Sequence, residues 1–125
     1  MKNKILFAAS LLFGLAFINS GLNKFFYYMP VPEDLPEQVV KTMEAFNSIG
    51  WVQPLVAVAE IIGGLLFIPK KSRALGAIVI FPVMIGILVH HITVAPSGLL
   101  MPLLLFAILL WVIVDNYEKY LPMLQ

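Results

Sequence analysis

The residues best suited to chemistry in this chain are polar and charged groups set within or beside long apolar runs: Asn19, Asn23, Lys24, Glu60, His90 and His91. In lipid each such group is costly unless it is paired, hydrated or turned into protein. A carboxyl at Glu60 has two physical options: to pair with a cation such as Lys24, or to take up a proton because an apolar medium disfavours its charge. Beside a histidine that titrates near neutrality and amide groups, it could receive a polar headgroup, such as a quinone carbonyl, and shuttle its protons. The competing reading is structural. The same carboxylate, ammonium and amides can lock helices together through hydrogen bonds, and no residue stands out as catalytic.

Spacing narrows these options. Asn19 and Asn23 lie four apart and share a helix face, and Ser20 and Lys24 form a second, adjacent pair by the same rule. His90 and His91 are neighbours whose side chains point about 100° apart on a helix, so at most one should face a given pocket. Bis-histidine haem ligation between helices would need a further histidine, and the chain has 2 in all. With no cysteine, disulfides, thiol relays, cysteine-ligated clusters and thioether-linked haem are excluded as chemistry of this chain. No metal site is expected.

The elements that must position these groups follow from composition. Among 125 residues, 61% are hydrophobic and 12% charged, too few charges for the surface of a soluble domain. At roughly 20 residues per crossing, four membrane spans absorb most of the chain, which is read as a single domain over residues 1–125. The spans are expected at about 5–26, 52–68, 75–94 and 99–114, from the apolar runs that begin near Ile5, Val52, Leu75 and Leu99. A short basic turn, Pro69 to Arg73, joins the second and third. Pro102 falls in the first turn of the fourth, where a missing N–H is tolerated. The first run also resembles a signal peptide, with Lys2 and Lys4 ahead of an apolar core, but its length and Ile18 near the cleavage region favour retention as a span. A net charge of +1 offers no field for nucleic acid.

Lys2, Lys4, Lys70, Lys71, Arg73 and Lys119 fall on one side of this topology, and only Lys24 and Lys41 on the other, beside Glu33, Asp34, Glu37 and Glu44. Cationic residues are retained in the cytoplasm, so both termini are expected inside. Tyr27, Tyr28 and Trp51 would anchor the outer interface, and Trp111, Tyr117 and Tyr120 the inner one. Between the first two spans, Pro30, Pro32 and Pro36 precede Val39, Val40, Met43 and Phe46 at helical spacing. A short amphipathic interfacial helix is predicted there, as a cap on the bundle or as a lid or docking surface. Small residues at Ser10 and Gly14, Ala16 and Ser20, Gly21, and Gly63 with Gly64 would let helix backbones approach closely. Eight residues into its helix, Glu60 would lie roughly 12 Å below the outer interface, at a depth similar to Asn19 and in the same half of the bilayer as the histidines.

Gly21-Leu22-Asn23-Lys24-Phe25 resembles the Gly-x-x-Lys-Phe pattern of the DoxX family, and Glu60-Ile61-Ile62-Gly63-Gly64, followed by a basic turn with Arg73, is similar to that family's Glu-x-x-Gly-Gly segment. The resemblance covers nearly the whole chain and departs from short-loop members through the proline-rich, acidic stretch from Pro30 to Glu44. It implies an all-α, membrane-embedded four-helix bundle in a bacterial inner membrane. It also implies association with respiratory or sulfur-linked redox systems, whose founding members resemble subunits of a quinol oxidase or a thiosulfate to quinone oxidoreductase. The expectation is a subunit supporting quinone-linked electron transfer, with quinone as ligand and a redox subunit or a second copy as partner within the bilayer. Alternatives are a non-enzymatic scaffold or assembly subunit and a binder or carrier of a small lipophilic compound.

Overall fold

The computed structural model describes residues 2–26, 35–94 and 96–124, and the backbone there is helical with no β-strand. Helix α1 runs Lys2–Phe26, α2 Glu37–Ile49, α3 Val52–Phe67 and α4 Arg73–Thr93; after a 3-10 turn at Pro96–Gly98 come α5, Leu100–Asp115, and the short α6, Tyr117–Tyr120, with a last 3-10 turn at Leu121–Leu124. Pro30, Pro32, Glu33, Asp34 and the proposed anchors Tyr27 and Tyr28 lie outside the described residues, as does the side chain of Lys2. Proline punctuates the chain as its chemistry requires. Pro36 stands in extended backbone just before α2. Pro69 follows the end of α3, and Pro102 sits in the first turn of α5, where its absent N–H would have had no helical partner.

Two segments, Lys4–Phe26 and Arg73–Thr93, are each long and apolar enough to cross a membrane. Helices α3 and α5 have 16 residues each, a length of about 24 Å against a hydrocarbon core of about 30 Å. They reach spanning length only when joined to bent neighbours, α2 to α3 at 94° and α5 to the C-terminal helical tail at 71°. The sharper bend falls at Gly50, whose φ of +81° is a left-handed conformation that an L side chain resists. The amphipathic helix expected from Val39, Val40, Met43 and Phe46 is thus present as α2. It has no buried residue and packs on α3.

Helix α1 packs chiefly on α3, α3 on α4 and α4 on α5, with a lighter contact between α1 and α5 closing the ring. Inside it, Phe13 stacks on Phe67 at 4.2 Å and tilts against Phe17 at 4.7 Å, joined by Leu6, Ala77, Ile80, Met84, Leu109 and Val112. Large apolar side chains such as Leu12, Leu55, Leu65, Leu75 and Leu104 point outward, the distribution that a hydrocarbon solvent favours and water does not.

Glycines set the separations of the central helices. A Cβ on Gly14 would come within 2.7 Å of the Gly64 carbonyl oxygen, one on Gly64 equally close to the Gly14 carbonyl, and one on Gly21 within 2.7 Å of the Ala57 carbonyl. Across the α3/α4 seam, a Cβ on Gly76 would come within 2.6 Å of the Phe67 nitrogen and 2.8 Å of the Gly63 carbonyl oxygen, a close approach absent from the sequence reading. Of the small-residue pairs proposed on α1, Ser10 and Gly14 face inward, while Ala16 faces out.

The basic turn also does more than mark a membrane face. Arg73 is 3% exposed and its guanidinium donates to the carbonyls of Phe67 at 3.1 Å and Ile68 at 2.9 Å, while Ser72 Oγ donates to Leu66 O at 2.7 Å. Together they satisfy carbonyls that the end of α3 leaves without partners. At the far end, Tyr120 donates to Ala74 O at 2.9 Å and ties α6 to the start of α4, and burial pushes its hydroxyl above the ordinary tyrosine range.

Overpacking these seams should be measurable. Gly64→Ala and Gly76→Ala should each destabilise the purified protein by about 1–3 kcal/mol in detergent unfolding. Gly86→Ala should be neutral or mildly stabilising, because a Cβ there meets nothing within 4 Å.

Candidate functional site

Helix α1 delivers Lys24 from its last turn and α3 delivers Glu60 from its middle. Lys24 Nζ donates to Glu60 Oε1 at 2.5 Å and to Ser20 Oγ at 3.0 Å, one helical turn back on α1. Of the two options open to Glu60, the structure holds the ion pair. Its two ends live in different surroundings: Glu60 is 1% exposed, whereas the Lys24 side chain is 25% exposed. Glu60 Oε2 is buried and has no hydrogen-bond partner among the described residues.

This pair stands on the wall of an open cavity of about 530 Å³ bordered by α1, α2, α3 and α4. Helix α3 contributes Gln53, Val56 and Glu60, a single face by their spacing of three and four. Helix α4 contributes Pro82, Gly86 and His90, again four apart, with Val83, Ile87 and His91 alongside. Above them α2 supplies Thr42, Met43 and Phe46. The wall is largely apolar with a few polar groups, the usual make-up of a small-molecule site.

Of the residues singled out by sequence, the cavity gathers Lys24, Glu60, His90 and His91. Asn19 and Asn23 are not on its wall. Asn19 is exposed on α1 and Asn23 is half-buried, and each has an interaction partner. The expectation that only one histidine could face a pocket does not hold. The two rings meet edge to face, 5.2 Å apart at 88°, and both border the cavity, because it wraps around the last turns of α4 instead of lying against one stripe. His91 is further anchored through Nδ1, 2.8 Å from Ile87 O.

Sequence reasoning missed Gln53, Thr42 and the Pro82/Gly86 stripe. A visible signal existed for the last: proline, glycine and histidine at positions i, i+4 and i+8 leave one helix face thinly covered, and Pro82 withholds the N–H that Ile78 O would accept. No group of three or more metal-ligating side chains occurs among the described residues.

The asymmetry of the ion pair predicts unequal mutants. Lys24→Met strands a fully buried carboxylate and should lower stability by about 3 kcal/mol, whereas Glu60→Gln leaves an ammonium able to reach solvent and should cost less than half of that. The double variant Lys24→Met/Glu60→Gln should recover most of the loss, as read by thermal unfolding in one detergent.

A family model described as DoxX matches residues 5–95, a stretch that includes Lys24, Glu60 and both histidines. No curated protein and no solved structure matches the chain.

Proposed function

Since the chain belongs to the DoxX family of membrane proteins, we propose that it is a membrane subunit supporting quinone-linked electron transfer, with the α1–α4 cavity as the seat of a quinone headgroup. The observation that carries this reading is the Lys24–Glu60 pair on the wall of an otherwise apolar cavity. An ammonium partly open to the cavity can donate to a quinone carbonyl, and the histidines alongside can accept or return protons. Apolar surroundings suit the ring and its hydrocarbon tail. In this reading Lys24, Glu60, His90 and His91 contact or serve the ligand, while Asn19 and Asn23 support helix α1 nearby. The electrons pass to or from a partner subunit, since the chain has no thiol and no second histidine pair for haem.

The accompanying topology places one domain in a bacterial inner membrane in four crossings, with α2 folded at the outer interface and both termini in the cytoplasm. Its support is the placement of lysines and arginines and the pairing of each short helix with a bent neighbour. The absence of cysteine makes a direct check simple. Single cysteines at Lys4 and Met123 should react with a membrane-impermeant maleimide only after permeabilisation of cells, and one at Gln38 should react in intact spheroplasts.

A scaffold reading has its own observation: the same ion pair ties α1 to α3 beside their glycine contacts, as a packing lock would. Glu60→Gln separates the two. In the quinone reading it weakens binding of a short-chain benzoquinone to purified, folded protein by about tenfold, the size of one charge-assisted contact. Unaltered affinity with lowered stability or poorer recovery of a complex would favour the scaffold.

A further inference from the structure

A second recess, an open groove of about 340 Å³, lies between α4 and α5. Ala77, Ile78, Phe81 and Pro82 line it from α4, Ile113 from α5 and Tyr120 from α6. The one polar side-chain group among these is the Tyr120 hydroxyl, which is committed to Ala74 O at 2.9 Å. A polar ring would find no side-chain partner there, whereas a hydrocarbon chain needs none. The length of the groove suits one leaflet. Pro82 is nine residues beyond Arg73, about 14 Å along the helix, close to half of a hydrocarbon core of roughly 30 Å.

The mouth of this groove is basic. The hydrogen bond from Tyr120 to Ala74 draws α6 against the start of α4, and so brings Lys119 to the same end of the bundle as Lys70 and Lys71. All three lysines are exposed, and the ion pairs of the described residues engage none of them. Arg73 is turned inward to the carbonyls of α3, with Asp115 within electrostatic reach. With Glu118, that makes two carboxylates at this end against four cations. Lysines beside a membrane face set topology, and an apolar helix face meets lipid wherever it lies. Neither requirement puts exposed cations at the mouth of a groove one acyl chain deep. From that conjunction we infer that the groove and Lys70, Lys71 and Lys119 form one binding site for an anionic phospholipid of the leaflet that the basic turn faces. An acyl chain lies along Ile78, Phe81 and Ile113, and the phosphate sits among the three ammonium groups, which supply charge-assisted hydrogen bonds. A zwitterionic headgroup carries a cation of its own, and the cluster repels it.

Native mass spectrometry of the full-length protein in detergent, titrated with dioleoyl phosphatidylglycerol or dioleoyl phosphatidylcholine, tests the site. The chains are identical, so only the headgroup differs. The wild type should retain phosphatidylglycerol at about tenfold lower concentration, and the triple variant Lys70→Gln/Lys71→Gln/Lys119→Gln should hold the two lipids equally to within about twofold. Ile78→Trp, at an exposed position on the rim, fills the groove with every charge in place. It should weaken phosphatidylglycerol binding by about tenfold, the effect of losing roughly two buried methylenes. Equal retention of both lipids by the wild type overturns the inference, and so does a preference that survives in the triple variant. Unaltered phosphatidylglycerol binding in Ile78→Trp overturns it as well, because cations alone would then hold the lipid. That outcome decides by itself if the triple variant fails to insert into the membrane.

Discussion

The close approach of α1 to α3 is the constraint on which the rest of the structure depends. Gly14 lies against the Gly64 carbonyl and the side chain of Ile68, and Gly21 against the Ala57 carbonyl and the side chain of Ile61, so the two helices approach closely at two levels. The helices run antiparallel, so Glu60 lies between the two contacts, three residues from Ala57 toward Gly64, while Lys24 lies past Gly21 and its side chain reaches back beside Ser20 to meet the carboxylate. The register of the glycine seam therefore brings ammonium and carboxylate to 2.5 Å. Without that seam, a carboxylate about 12 Å along α3 would have to be neutralised by a proton instead of a partner.

A second set of contacts carries this geometry to α4. Gly76 meets the backbone at Gly63 and Phe67, and Arg73 closes the end of α3 by donating to its last carbonyls. Helix α4 is thereby held firmly at its beginning. Toward its other end, Pro82 and Gly86 offer little bulk, and the helix leaves room beside α3 for the cavity. Helix α2 covers this space through a sharp bend at Gly50 and without burying a residue of its own. The cover is thus far less tightly held than the walls.

Much of the fold was legible from the chain because lipid imposes simple rules. Long apolar runs, prolines at helix ends and an amphipathic stretch at Val39–Phe46 all correspond to helices with bounds close to those expected. The lengths of α3 and α5 were legible too, since the runs expected at 52–68 and 99–114 form Val52–Phe67 and Leu100–Asp115. Hydropathy does not register the angles at which they meet their neighbours, 94° and 71°. The role of Arg73 was hidden for a different reason: its charge suggested water, but its hydrogen bonds are spent on the carbonyls at the end of a neighbouring helix.

For the site, the sequence by itself determined the chemical inventory: one buried carboxyl, one cation one turn from a serine, two adjacent histidines, no thiol, and glycines suited to close packing. It also determined their depth, since rise per residue is constant along a helix. Only the tertiary structure decided azimuth. Rotation of each helix about its axis depends on how its ridges and glycine gaps meet those of its neighbours, and that places Lys24 against Glu60, turns Asn19 outward and sets both histidines around one cavity. The ion pair joins residues 36 positions apart and the glycine seam joins Gly14 to Gly64, and no local pattern encodes their pairing.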